Sequence, residues 1–167
     1  TLRPGWEADY EGSPAFHDLG CVGACEDVTW QPDDCYQLSV RGLARVRFTG
    51  QAREFPYRAC TVEALPEAPY AEDDPVTALV RRELMEACSR LLPLGGEAWL
   101  MPPLLEPDAA YERMVATLAQ CLRLPGEEKL ELLALDSVIE RGRRLVERMR
   151  RFAPPPRRPP PPRGEHN

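Results

Sequence analysis

The fold of this chain is decided at DDPVTALVRRELMEACSRL (residues 73–91), where the spacing of apolar residues changes. Asp74 can accept a hydrogen bond from the free N–H groups that begin a helix. Pro75 suits the first helical turn, where its missing N–H costs nothing. Apolar residues then recur three or four positions apart, which predicts an amphipathic helix. Its predicted inward face comprises Val76, Leu79, Val80, Leu84, Cys88 and Leu91.

Upstream of this boundary the chain follows the two-residue period of β-strands. Residues 19–30 mix β-branched and aromatic residues, and QPDD (31–34) supplies turn chemistry. Apolar residues then alternate with polar ones from Tyr36 onward, and a further strand is predicted from Pro56 to Val62. Alternation interrupted by turns every ~8–12 residues predicts an antiparallel sheet or a small barrel.

Downstream, two more helices are predicted after LPLGG (92–96) ends the first. One begins near Pro107, and the other runs without a break from about Gly126 to Phe152. Strands followed by a group of helices predict an α+β fold rather than an alternating parallel sheet. The predicted inward residues are Tyr111, Met114, Val115, Leu118 and Leu122, then Leu130, Leu133, Val138, Leu145, Met149 and Phe152.

Composition limits the class of protein. The 167 residues carry a net charge of −6, with nine arginines against one acidic residue between positions 141 and 163. No apolar run reaches the ~20 residues of a membrane span, and the start does not resemble a signal peptide, so we expect a cytoplasmic protein without membrane contact. Residues 153–167 hold seven of the 19 prolines, which predicts an extended polyproline or disordered tail.

No arrangement of residues typical of an enzyme is present. There is no phosphate-binding glycine loop and no Ser/His/Asp or Cys/His set. The single lysine, Lys129, sits among Glu127, Glu128 and Glu131, where a surface ion pair is expected. The six cysteines and two histidines do not complete a metal-ligand set, so we predict reduced, buried thiols. The sequence therefore favours a non-enzyme that requires no cofactor or metal.

Several stretches, taken in order, resemble the N-terminal, substrate-binding domain of the Lon protease family in its stand-alone bacterial form. They correspond to the family's opening strand, its hairpin, its Pro-Tyr-x-Ala strand and its closing helix signature. RPGWE (3–7) and DYEG (9–12) are similar to a loop of the stand-alone subset. The main stretches are LGCVG (19–23), QPDDCYQL (31–38) with VRGLARVR (40–47), PYRA (56–59) with VE (62–63), and residues 122–141.

The resemblance implies a PUA-like antiparallel β pseudo-barrel followed by a helical bundle. It divides the chain into a β-rich part (1–68), a helical part of the same domain (69–152) and the Pro/Arg-rich tail (153–167). The family's first strands precede the position of Thr1, so the barrel is expected to be truncated. In the family, ATPase and Ser–Lys protease activities belong to separate domains. The resemblance therefore implies a non-catalytic module that binds unfolded or tagged polypeptide segments, alone, with a separate protease or by self-association.

Five aromatic residues are candidates for the peptide-binding surface, since extended peptides can add to a sheet edge while side-chain pockets give preference. For one of them, Trp30, the alternative is that it closes the end of the barrel. RNA binding through the strand arginines is a second hypothesis, against which the acidity of the first 140 residues weighs. A scaffold whose Pro-rich tail recruits a partner is a third. The candidates are Trp6, Tyr10, Trp30, Phe48 and Tyr57.

Overall fold

The computed structural model of the chain describes residues 2–9, 12–53, 57–106 and 108–152. Tyr10 and the predicted tail at 153–167 lie outside the described residues. A short 3-10 helix, Trp6–Asp9, precedes strands β1 (Leu19–Trp30), β2 (Tyr36–Arg53) and β3 (Ala59–Ala64). Helices α1 (Pro75–Leu91), α2 (Tyr111–Cys121), α3 (Gly126–Ala134) and α4 (Val138–Phe152) follow, with a 3-10 segment, Leu92–Glu97, after α1. The predicted α+β order, strands first and helices after, is confirmed.

The three strands form one antiparallel sheet in the order β1-β2-β3. The β1–β2 turn is closed by Asp33, whose carboxylate accepts the Cys35 N–H at 3.3 Å, and by Asp34, which adopts φ 60°. The register shifts twice along this pair, between Val22 and Gly23 and again between Glu26 and Thr29. Within the described strands the sheet is open, so the PUA-like pseudo-barrel stays a prediction.

The apolar core lies among the helices. On α2 the predicted inward face is confirmed, since all its residues and Leu122 are buried. On α1 the predicted face is partly wrong, because Val76 and Leu79 are exposed and Thr77 is buried. The Thr77 hydroxyl donates to the Ala71 carbonyl at 2.7 Å, which satisfies its polar group inside the fold. The inner face of α1 therefore includes the polar residue Thr77, whereas hydrophobic spacing predicted Val76 and Leu79 there.

The single helix predicted from Gly126 to Phe152 is wrong, since the structure has two. Leu135 is extended, with φ −77° and ψ 125°, and ends α3. Ser137 then begins α4: its hydroxyl accepts the Glu140 N–H at 3.3 Å. The spacing Ser-x-x-Glu at 137–140 is the pattern of a capping box, so the signal for this break was in the sequence.

Arg45 of β2 joins the sheet to the helices. Its side chain is only 5% exposed. It donates to the carbonyls of Pro66 and Leu133 and to the carboxylates of Glu67 and Asp136. Glu67 also accepts from Arg141 of α4. Because a buried charge persists only when it is paired, this cluster fixes how α3 and α4 lie against the sheet.

Candidate functional site

A groove of about 370 Å³ opens where α3 meets β1, with α2 and α4 forming its floor. Leu130, Leu132 and Leu133 of α3 all line the groove, and of these Leu132 is buried whereas Leu130 and Leu133 are half-buried. The spacing of apolar residues in the sequence placed Leu130 and Leu133 in the core and did not select Leu132. The apolar lining is formed by Val115, Ala116, Ala119, Leu130, Leu132, Leu133 and Leu145.

A second hollow of about 310 Å³ continues this groove. Gly126 and Leu130 line both, so the two hollows adjoin along α3, and together we call them the α3 groove. Its far end is bounded by Leu2, Pro4 and Trp6. The wall at Gly126 is open, because a β-carbon built there would meet no atom within 4 Å.

Lys129 stands in the wall of the α3 groove rather than in a surface ion pair. Its ammonium donates to the Gln120 carbonyl at 2.8 Å, and burial lowers the pKa of Lys129. Among the described residues it pairs with no carboxylate, because Glu128 and Glu131 are taken by the buried Arg148 of α4, at 2.8 and 2.5 Å. The expected surface ion pair of Lys129 is therefore wrong.

Arg141 is the other charged residue in the lining of the 370 Å³ part of the groove. Its side chain is 11% exposed, and its guanidinium donates to Glu67. The buried Nε of Arg141 has no hydrogen-bond partner among the described residues. Both charged side chains along this part of the groove are therefore cations.

Trp30 belongs to a separate apolar surface on the β1–β2 hairpin. It lies opposite Tyr36 in the strand register, and the two are 58% and 67% exposed. Tyr36, Leu38 and Val40 share one face of β2 because strands have a period of two, and all three are exposed. The alternation of apolar and polar residues in the sequence predicted this face of the strand. It does not indicate whether the face is covered. We call it the hairpin patch: Val28, Trp30, Tyr36, Leu38 and Val40.

The other three described candidates, Trp6, Phe48 and Tyr57, do not share that surface. Trp6 is half-buried at the end of the α3 groove. Phe48 packs edge-to-face on Phe16, with ring centroids 5.3 Å apart. Tyr57 is 62% exposed between β2 and β3. Of the four candidates that the structure describes, Trp6 lines the α3 groove and the others do not.

The arginines of the strand region whose side chains the structure describes are engaged in contacts within the protein. Arg41 pairs with Glu26 and Arg47 with Asp18, both at 2.7 Å, while Arg58 donates to the Pro14 carbonyl at 2.7 Å. No group of three or more metal-ligating side chains occurs in the part of the chain that the structure describes. Nor does that part contain a helix long and apolar enough to cross a membrane.

An antiparallel sheet followed by four helices, with a groove at their junction, defines an α+β domain. The sequence model of the ATP-dependent protease La (LON) substrate-binding domain matches residues 3–151. The chain belongs to this family.

Two solved structures share the fold. The N-terminal domain of Mycobacterium avium complex Lon protease has a TM-score of 0.54 and 20% identity, over 83% of this chain and 73% of that one. A Lon N-terminal domain protein from Xanthomonas campestris has a TM-score of 0.52 and 22% identity, over 86% of this chain and 72% of that one. No curated protein sequence matches.

Proposed function

We propose that this chain is a non-catalytic polypeptide-binding module that recognises unfolded or tagged segments in the α3 groove. The observation that carries the proposal is the groove itself, about 370 Å³ and lined mainly by leucine, valine and alanine. That volume lies within the ~300–1,000 Å³ typical of ligand sites, which are mostly apolar with a few polar groups. Membership of a substrate-binding family supports the same conclusion.

The groove suits an extended segment rather than a compact ligand. It is continued by the second hollow, towards Trp6. One wall is Cys21 of β1, and β1 is an edge strand of the described sheet. A peptide lying there could pair its main chain with the strand edge while apolar side chains enter beside Leu130.

Other parts of the proposal rest on the family resemblance. These are the PUA-like pseudo-barrel, the division at residue 68, and a separate protease or self-association as partner. The cytoplasmic location and the boundary at residue 152 are expectations from the sequence itself. The hairpin patch is a second candidate surface, which includes Trp30. RNA binding is less favoured, because Arg41, Arg45 and Arg47 already pair with carboxylates. A scaffold role of residues 153–167 has no described contact in its favour.

The test is to fill the groove without disturbing the fold. Gly126→Leu places a side chain where a β-carbon meets nothing within 4 Å. Gly96→Leu is the matched control, since its β-carbon is equally free and Gly96 lies outside both hollows. We expect fluorescence anisotropy with a labelled, apolar, unfolded peptide to show binding at least about 10-fold weaker for Gly126→Leu and unchanged for Gly96→Leu. Equal affinity of the two variants would refute the groove as the site.

A further inference from the structure

The 370 Å³ part of the α3 groove carries positive charge in an acidic protein, whereas Glu127 lines the adjoining 310 Å³ hollow. The chain has a net charge of −6, yet Lys129 and Arg141 are the charged residues that line the 370 Å³ part of the groove. Lys129 is also the only lysine in the chain. A ligand that is apolar along most of its surface and negative at one point would complement this lining.

Lys129 has hydrogen-bonding capacity to spare. An ammonium group has three donors, and one of them is used by the Gln120 carbonyl. Burial lowers the pKa of Lys129, which means that its charged form is stabilised less well here than in water. An anion in the groove would offset that cost.

Arg141 adds a second donor beside the same apolar surface. One of its terminal nitrogens is held by Glu67, while its buried Nε has no partner among the described residues. Buried donors without a partner are rare in folded proteins, because leaving one unsatisfied is unfavourable. Arg141 therefore adds a second cation beside the groove, while its unpaired Nε is itself buried.

We propose that the α3 groove selects the C-terminal end of a polypeptide, with the apolar last residue beside Leu130 and Leu133 and the terminal carboxylate paired with Lys129. This rests on the proposed function and names the ligand of the same site. An internal Asp or Glu carries its charge on a polar residue, which the leucine lining does not suit. An apolar C-terminal residue supplies both features within one residue.

The edge strand favours a peptide over a fatty acid with the same chemistry. Cys21 of β1 lines the groove, and an edge strand offers main-chain N–H and C=O groups. A peptide can pair with those groups, whereas an alkyl chain cannot. The shared chemistry is a carboxylate joined to an apolar group, and the probes below separate its sources.

The experiment compares N-terminally labelled ten-residue peptides that end in leucine, using the full chain and fluorescence anisotropy. One has a free C-terminal carboxylate, the second a C-terminal amide, and the third a C-terminal amide with glutamate as the penultimate residue. We expect the free acid to bind about 10-fold more tightly than either amide, as for a charge-assisted hydrogen bond. We expect decanoate to compete poorly with the free acid.

Variants of the lysine assign the contact. Lys129→Met is expected to reduce the preference for the acid to less than about 3-fold, and Lys129→Arg to restore it. Arg82→Met is the matched control, since Arg82 is an exposed cation of α1 outside the groove. Thermal unfolding of each variant identifies any that fails to fold. Because the chain has one lysine, selective ¹³C,¹⁵N-lysine labelling also gives the NMR signals of a single lysine side chain, expected to shift with the acid and not with the amide.

The outcomes separate this inference from the proposed function. Equal binding of acid and amide to the wild-type chain refutes the carboxylate contact and leaves peptide binding intact. No binding of any peptide refutes the proposed function itself. Tight binding of the glutamate-containing amide, or displacement of the acid by decanoate at similar concentration, overturns the C-terminal assignment. An acid preference that survives in folded Lys129→Met overturns the role of Lys129.

Discussion

Gly142 of α4 lies directly against the ring of Tyr111 on α2. A β-carbon at position 142 would overlap the Tyr111 hydroxyl oxygen and lie 3.0 Å from Cζ of that ring and 3.2 Å from Val80 Cγ1. Gly142→Ala is therefore expected to lower the free energy of unfolding by about 1–3 kcal/mol, because three packed helices would have to shift. Urea denaturation measures this. Gly96→Ala, where the added carbon meets nothing within 4 Å, should leave the midpoint nearly unchanged.

The hydroxyl of Tyr111 is expected to contribute nothing to stability. It is buried without a hydrogen-bond partner among the described residues, and burial raises the pKa of Tyr111 to about 12. Tyr111→Phe keeps the ring packing and removes an unsatisfied polar group, so we expect the free energy of unfolding to stay constant or rise by up to about 1 kcal/mol. Thermal and urea unfolding check this. A loss of more than 1 kcal/mol would mean that the hydroxyl has a partner, such as an ordered water.

Glu72 performs the capping of α2 from a distant part of the chain. Its carboxylate accepts the Tyr111 N–H at 2.7 Å, the Tyr70 hydroxyl at 2.9 Å and the Arg81 guanidinium at 2.6 Å. Ala110, at the N-cap, makes no side-chain cap hydrogen bond. Burial alone would raise the pKa of Glu72, but these hydrogen bonds outweigh it, and the pKa lies below its usual value.

This gives the stability of the domain a defined pH dependence. A carboxyl pKa that is lower in the folded state stabilises the fold above the unfolded pKa, about 4–4.5, and that stabilisation is lost as pH falls through the folded pKa. Between about pH 5 and pH 3 the wild-type chain should therefore lose more stability than Glu72→Gln, whose amide does not titrate. At pH 7 the variant should be less stable by about 1 kcal/mol. Parallel unfolding curves over this range would contradict the capping role.

Arg45 and Arg47 provide a matched pair on one face of β2. Arg45→Met removes a buried guanidinium with four acceptors and is expected to cost about 2–4 kcal/mol, since the carboxylates left behind are partly exposed. Arg47→Met removes a half-exposed arginine paired with exposed Asp18 and should cost less than about 1 kcal/mol. Urea denaturation compares the two. Similar costs would show that Arg45 does not fix the helices on the sheet.

The sequence predicted the elements with local signals. Asp74 and Pro75 mark the start of α1, and Asp74 does accept the Val76 N–H at 2.7 Å. Prediction from the sequence failed where contacts between residues far apart in the chain determine the structure. The cap of α2 comes from Glu72, 39 positions before Tyr111, and neither spacing nor propensity reports such a contact. The break at Ser137 was visible in its capping pattern but was outweighed by continuous apolar spacing.

The candidate site was missed for the same reason. Leu130 and Leu133 have the spacing of core residues, and spacing cannot distinguish a core from a groove that another molecule fills. Lys129 was assigned to its neighbours in sequence, although Arg148, on the next helix, takes the glutamates. Trp6 lines the α3 groove because the N-terminal segment lies beside the start of α3, and no local sequence pattern predicts that placement.

The hairpin patch should drive self-association independently of the groove. Exposed apolar residues on an open sheet favour contact between copies, and natural sheets limit this with lysine on exposed strands. Leu38→Lys places a charge in the patch, where Leu38 is 44% exposed, and should shift sedimentation velocity profiles towards monomer at high concentration. The free energy of unfolding should change by less than about 0.5 kcal/mol, as for other surface substitutions.

Ser39→Lys is the control, since position 39 lies on the opposite face of β2 and is also exposed. It adds the same charge and should leave self-association as in the wild-type chain. Peptide affinity should be unchanged in both variants, because neither residue lines the α3 groove. Peptide binding lost in Leu38→Lys but kept in Gly126→Leu would move the recognition surface to the hairpin, where Trp30 lies. A monomeric wild-type chain at every concentration would show instead that the patch does not drive association.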